Sequence, residues 1–258
     1  MVLRDQAFSS ATVGRVGEAG NIKRSSAKRW VDGIGGAKVL LLAPGFNKTT
    51  PRNRVVKKIY LIRHGQTYFN VRGIVQGSGV DAPLNDVGQQ QARQFHAAYH
   101  GVPFDRVHIS TLMRTQQSIQ PFLDAGLPHE KHRALDEISW GHREGTRITP
   151  EEDIEYHGLL RAWQRGETHL ALRGGESPEE VAARQRPFID EVLRGRPEEE
   201  NVLVCMHGRA MRVLLCQLLN YPLSRMDHFE HRNLCLYKVH YTGSMFSIRN
   251  YMDTGHLG

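Results

Sequence analysis

Two histidines in this chain share one setting. His64 follows the apolar run Ile59-Tyr60-Leu61-Ile62 and its neighbour Arg63, and His207 follows Val202-Leu203-Val204-Cys205 and Met206; each is succeeded by glycine and a turn toward a helical segment. Most of the 14 histidines, His96, His100, His129, His228 and His256 among them, read as surface or packing residues, but the repeated context sets these two apart. A neutral imidazole can attack phosphorus and hold a phosphoryl group as a transient covalent adduct, and its ordinary pKa of about 6.5 leaves it largely deprotonated at neutral pH. The charge on the phosphoryl oxygens then calls for guanidiniums, and Arg63 and Arg114 are the candidates. A leaving alkoxide also needs a proton, for which Glu137 in Leu135-Asp136-Glu137-Ile138 is the candidate acid.

These residues need a scaffold, and the hydrophobic pattern supplies one. Residues 59–62 read as a buried strand ending in the polar burst Arg63-His64-Gly65-Gln66-Thr67, which puts chemistry at a strand's C-terminal end, the α/β habit. A loop rich in Gly and Asp leads to a helix over 87–99, with Ala92, Phe95, Ala98 and Tyr99 at helical spacing. A strand at 107–110 and a helix over 112–123 repeat the alternation. Thr149-Pro150-Glu151-Glu152 and Ser177-Pro178-Glu179-Glu180 each open a helix with a capping residue, a first-turn proline and acids at the positive end of the dipole. A strand at 201–205 precedes an amphipathic helix over 209–219, and further strands fall near 234–240 and 245–250. The expectation is an α/β three-layer sandwich, with a mainly parallel central sheet and helices on both faces. Residues 145–173 interrupt the alternation and read as a short helical insertion over the mouth of the sheet.

Composition narrows the class. The chain has 258 residues, 40% hydrophobic and 24% charged, enough for a full core in one domain with an appendage. No stretch approaches the roughly 18–20 consecutive apolar residues of a membrane helix, so no membrane role is expected. Three cysteines, Cys205, Cys216 and Cys235, fit neither a disulfide framework nor a zinc motif and suggest a reducing, cytoplasmic compartment. The net charge of +7 is concentrated in residues 1–58, with 12 Lys+Arg against 3 Asp+Glu, while the remainder is slightly acidic. Residues 1–56 therefore read as a basic, flexible extension; a transit peptide and an upstream start are the other readings. No nucleic-acid motif accompanies the charge. Residues 57–250 form the expected catalytic domain and 251–258 a C-terminal tail.

Leu61-Ile62-Arg63-His64-Gly65-Gln66-Thr67-Tyr68-Phe69-Asn70 resembles the Arg-His-Gly-x-Thr-x-x-Asn signature of the histidine phosphatase superfamily, the phosphoglycerate mutase-like fold. Gln76-Gly77, Asp81 with Pro83-Leu84-Asn85, Ser110-x-Leu112-x-Arg114, Leu135-x-Glu137, Gly174 to Ser177 and His207-Gly208 are similar to further blocks of that family in the same order. The resemblance implies that His64 is the phosphate-accepting nucleophile, that Arg63, Arg114 and His207 form a phosphate pocket, and that Glu137 is the proton donor. It also implies that Asn70 binds a phosphoryl oxygen or the substrate, that Gln76 and Gly77 face the leaving group, and that neither metal nor cofactor is required. Ile74 departs from the arginine found there in many members, for which Arg72 is a possible substitute.

Ile138-Ser139-Trp140-Gly141 after the acid, together with a short insertion, resembles the broad-specificity phosphatase and fructose-2,6-bisphosphatase branch more than the cofactor-dependent mutases. The expected activity is hydrolysis of small phosphorylated metabolites through phosphohistidine. A phosphoglycerate mutase and a non-catalytic phospho-ligand binding module are the alternatives. His142, Arg143, Arg147 and His157, in or beside the insertion, read as solvated residues rather than substrate contacts. The sequence leaves the substrate and the oligomeric state open.

Overall fold

The computed structural model describes residues 56–147 and 149–258, together with the backbone of two short strands nearer the N-terminus. The chain divides into two compact units, Met1–Arg52 and Asn53–Gly258. In the first, β1 (Arg29–Asp32) and β2 (Lys38–Leu41) pair antiparallel, a pairing the sequence reading did not anticipate. The rest of the segment read as a basic extension lies outside the described residues.

The second unit runs β3 (Lys57–Arg63), α1 (Tyr68–Arg72), α2 (Asp86–Tyr99), β4 (Arg106–Ile109), α3 (Met113–Ser118), α4 (Gln120–Asp124) and β5 (His129–Lys131). After two 3-10 turns come α5 (Pro150–Gln164), α6 (Pro178–Pro187), a π-helical turn (Phe188–Arg194), β6 (Asn201–Met206), α7 (Gly208–Leu219), β7 (Leu236–Tyr241) and β8 (Phe246–Asp253). The sheet order is β5-β4-β6-β3-β7-β8. The four strands β5, β4, β6 and β3 are parallel neighbours, whereas β7 pairs antiparallel with both β3 and β8. The α/β expectation holds, but the sheet is mixed. β7 and β8 are joined by a turn of four residues, too short for the crossover that a parallel pair requires.

Both faces of the central strands are covered, which explains their continuous apolar runs. Ile59 and Leu61 of β3 pack with Val202 and Val204 of β6 beneath α6 and α7, while Tyr60 and Ile62 pack with Leu203 and Cys205 beneath α2 and α4. The expected helix over 112–123 is two helices broken at Ile119: Pro121 lacks an N–H, and its ring opposes the carbonyl four residues back. The C-terminal boundary placed at 250 falls inside β8. Beyond it, His256 packs its ring on Phe95 and Tyr99, and Gln94 donates to the Leu257 carbonyl. Among the described residues no helix is long and apolar enough to cross a membrane.

Candidate active site

The parallel register sets the site. Ile62 pairs with Cys205 and Arg63 with Met206, so His64 and His207 leave adjacent strands at the same level, with ring centroids 5.1 Å apart. β4 lies on the other side of β6 and delivers Ser110 to the same edge. Three neighbouring parallel strands thus end on one polar cluster.

His64 is buried, and its Nδ1 lies 2.7 Å from the Gly65 carbonyl. A carbonyl can only accept, so Nδ1 carries the proton and Nε2 keeps its lone pair. Burial, reinforced by the Arg114 and Arg63 charges, holds its pKa well below the ordinary imidazole value. The imidazole is therefore neutral at neutral pH. The loop before β7 supports it from behind: Asn233 Nδ2 donates to the His64 carbonyl, and the Leu234 N–H donates to the Arg63 carbonyl. Leu234 takes a φ of 53° to do so, a strained conformation for a bulky residue.

His207 is the N-cap of α7 and fully buried. Arg114 Nε donates to its Nδ1 at 3.1 Å, so Nε2 bears the proton and donates to Ser110 Oγ at 2.7 Å. Burial and the neighbouring positive charges lower its pKa as they do for His64. Arg114 also donates Nη1 to the Val80 carbonyl and Nη2 to the Gly77 carbonyl, which leaves one N–H on each terminal nitrogen. Arg63 donates Nη1 to His231 Nδ1, but its buried Nε has no partner. Desolvation lowers both guanidiniums from their ordinary value, and the Glu137 charge pulls each back.

Glu137 sits against the start of α7. Its Oε1 accepts from the backbone N–H groups of Ile138 at 3.0 Å and Ala210 at 2.8 Å, and its Oε2 from that of Arg209 at 3.1 Å. The carboxylate therefore occupies a helix N-terminus, where negative charge is favoured. Arg184 fixes the segment that carries it: the guanidinium donates to the carbonyls of Arg133, Ala134, Asp136 and Glu137 while paired with Glu176.

A cavity of about 330 Å³ opens between these elements. Arg63, His64, Asn70, Gln76 and Glu137 line it, with Phe69, Ile74, Val75, Trp140 and Tyr156. Among the described residues, the hollow between Phe104, Phe122 and Leu127 gathers no comparable charged cluster. Of the eight residues singled out from sequence, Arg114, His207 and Gly77 stand outside the lining. Gly77 instead lets the Glu144 carboxylate approach: a Cβ there would meet its Oε1 at 2.0 Å. The Thr-x-x-Asn spacing closes a capping box, Thr67 Oγ1 accepting from Asn70 N and Asn70 Oδ1 from Thr67 N. Asn70 Oδ1 is thus committed to the fold, leaving its amide N–H groups for the cavity. Gln76 Nε2 donates to Thr67 Oγ1, while its buried Oε1 lacks a partner.

Arg72 does not replace Ile74. It lies at the exposed end of α1, over the Tyr68 ring, and is absent from the lining. The insertion helix α5 contributes Tyr156 to the cavity, anchored by Trp163, which stacks on Trp140. Arg143 is held by Glu155, and neither it nor His142 lines the cavity. Sequence reading missed Ser110 as the partner of His207, Arg184 beneath Glu137, His231 beside Arg63, and Asn233. Each acts across a long sequence separation and leaves no local pattern.

The profile of the histidine phosphatase superfamily (branch 1) matches residues 59–254. The adenosylcobalamin/alpha-ribazole phosphatase of Escherichia coli K12 is 31% identical over 177 residues, covering 67% of this chain and 84% of that protein. A protein of Yersinia enterocolitica named "Probable phosphoglycerate mutase GpmB" is 30% identical over 209 residues, covering 78% of this chain and 94% of its own. Among solved structures, the alpha-ribazole phosphatase from Shigella flexneri superposes with a TM-score of 0.68 at 27% identity, covering 76% of this chain and 96% of that one. The chain belongs to branch 1 of the histidine phosphatase superfamily. It is an enzyme of that superfamily, with the phosphoglycerate mutase-like α/β fold.

Proposed function

We propose that the protein is a phosphomonoesterase that hydrolyses small phosphorylated metabolites by way of phosphohistidine at His64. The observation that carries this reading is one cavity lined by an imidazole with a free Nε2, a guanidinium with an unpartnered buried Nε, and a carboxylate. His64 Nε2 attacks phosphorus in line, the ester P–O bond breaks, and a proton passes to the leaving oxygen. Arg63 Nε and the spare N–H groups of Arg114 bind the phosphoryl oxygens, and His207 acts through Arg114, whose plane it fixes. In the second half-reaction Glu137 takes a proton from water as it attacks phosphohistidine; the Nε2–P bond breaks, and the proton leaves with inorganic phosphate, which restores the neutral His64 and the Glu137 carboxylate. The first proton arrives with a substrate monoanion, the second pKa of a phosphate monoester being about 6, and Glu137, held against the start of α7 by three N–H bonds, relays it to the leaving oxygen. The cations in this scheme are guanidiniums, and it routes no step through a metal.

Water is favoured over a second substrate hydroxyl by the leaving-group side of the cavity. Phe69, Ile74, Val75, Trp140 and Tyr156 form it, and among the described lining residues Arg63 is the one cation. A phosphoglycerate would place its carboxylate against this apolar wall unpaired, which is costly. The reading accords with the broad-specificity phosphatase branch and with a phosphatase among the relatives. A panel of phosphate monoesters, assayed with a chelator present, tests it: released inorganic phosphate is expected, without a bisphosphate primer. Primer-dependent conversion of 3- to 2-phosphoglycerate without phosphate release would establish the mutase instead, and binding without turnover the non-catalytic module.

A further inference from the structure

A second convergence of imidazole and carboxylate lies at the β4–β5 edge of the sheet. His108 of β4 and Glu130 of β5 are cross-strand partners, and His132 follows β5 directly. His108 Nδ1 lies 3.1 Å from His132 Nε2, His132 Nε2 lies 3.6 Å from Glu130 Oε2, and His108 Nδ1 lies 4.0 Å from the same oxygen. Ligand atoms about 2.0–2.1 Å from a tetrahedral zinc ion stand about 3.4 Å from one another, so three donors are already near zinc spacing.

The second layer is also in place. His108 Nε2 lies 3.2 Å from Glu199 Oε2, and a carboxylate can only accept, so Nε2 carries the proton and Nδ1 presents its lone pair toward His132 and Glu130. A ligating histidine ordinarily donates its other N–H to a carboxylate in this way. Arg106 and Arg196 pair with Glu130 and Glu199, so these four charges balance before an ion enters. Arg196 Nη1 donates to both oxygens of Glu130, and Arg106 forms an ion pair at Oε1 only, which leaves lone pairs on Oε2. The Phe188 ring closes the inner side against both imidazoles, while the His132 and Glu130 side chains are 19% and 31% exposed, an open path for an ion.

We propose that His108, Glu130 and His132 bind a zinc ion, with water in the fourth position. The site is separate from the phosphoryl chemistry and does not depend on the reading of that chemistry. Its role is a tether: it fastens the short edge strand β5 to β4, two residues before Ser110 and five before Glu137. The donor set of two imidazoles and one carboxylate suits zinc over calcium or magnesium, which prefer oxygen.

Titration of the chelator-treated full-length chain with zinc alone, followed calorimetrically and by melting temperature, tests this. One ion per chain is expected, with a melting-temperature rise of about 5–10 °C at a hundredfold excess over the dissociation constant. His132→Ala should abolish both, Glu199→Gln should weaken binding about 10–100-fold through loss of the supporting acceptor, and His100→Ala, at the exposed C-cap of α2, should change neither. Glu130→Gln repeats the test should His132→Ala fold poorly on circular dichroism. Zinc affinity within threefold of wild type in His132→Ala, Glu130→Gln and Glu199→Gln, or no zinc-dependent rise in the wild-type melting temperature, would overturn the proposal.

Discussion

Replacing Glu137 by glutamine separates its two roles, because the structure gives each a magnitude. The carboxylate accepts three backbone N–H bonds, two on Oε1 and one on Oε2. Glutamine keeps one acceptor, so its best placement retains Ile138 and Ala210 and turns an NH2 against the Arg209 N–H. One bond to a charged acceptor is lost, about 1.5–3 kcal/mol, and the negative charge leaves the first turn of α7, about 0.3–2 kcal/mol. A loss of roughly 2–5 kcal/mol should lower the melting temperature by roughly 4–20 °C, at 2–4 °C per kcal/mol for a domain of this size. Assayed well below that transition, hydrolysis of an alkyl phosphate should fall about 10²–10⁴-fold, the usual worth of a positioned acid or base. A p-nitrophenyl ester, whose leaving group departs without a proton, should still phosphorylate the enzyme rapidly and then stall, because water lacks its base. Rapid-quench kinetics on both esters would show a burst with the aryl ester only. Alkyl turnover within tenfold of wild type, with no stalled phosphoenzyme, would refute this assignment of Glu137.

The depressed imidazoles fix the sign of the pH dependence. His64 and His207 are held well below their ordinary value and His231 down to about 2, chiefly by burial. The unfolded chain therefore binds protons as pH drops below about 6.5 while the folded one does not, and each group removes up to about 1.4 kcal/mol of stability per pH unit. Urea melts should show stability flat with respect to these groups above pH 7.5 and falling toward pH 5.5; the opposite slope would contradict the burial argument. In Gly208→Ala the new methyl would lie 2.6 Å from the His231 ring, so His231 must move and release Arg63, at about 1–3 kcal/mol for overpacking. Competition by inorganic phosphate should then weaken. Arg184→Met removes the bonds to the carbonyls around Glu137, and a shift of the carboxylate by about 1 Å should lower kcat by about 10²-fold. KM should change much less, because Arg63 and Arg114 stay in place.

Much of the frame could be read from local pattern. The apolar runs before His64 and His207 are legible because parallel central strands are buried on both faces and must be continuously apolar. The capping device at Ser177 is likewise local and forms as expected, with Glu180 closing the box. β5 escaped notice because His-Glu-Lys is an edge strand of three residues with no alternation. The break at Ile119 was hidden by helical spacing that continues across Pro121. In the site, Arg63, His64 and Glu137 were visible as chemistry at element ends. The parts that hold them were not, since Ser110, Arg184, His231 and Asn233 are ordinary polar residues until the fold brings them together. Gly77 has a glycine's reason of close approach, to the Glu144 carboxylate, where substrate contact had been expected.

His64 is the proposed carrier of the phosphoryl group. Quenching the wild-type enzyme during turnover of a phosphate monoester, then mapping the modification by mass spectrometry under alkaline conditions, measures this directly. An acid-labile phosphoryl group on His64 alone is expected, absent from His64→Ala, which should not turn over. An unmodified His64 throughout turnover, or wild-type rates in His64→Ala, would contradict it.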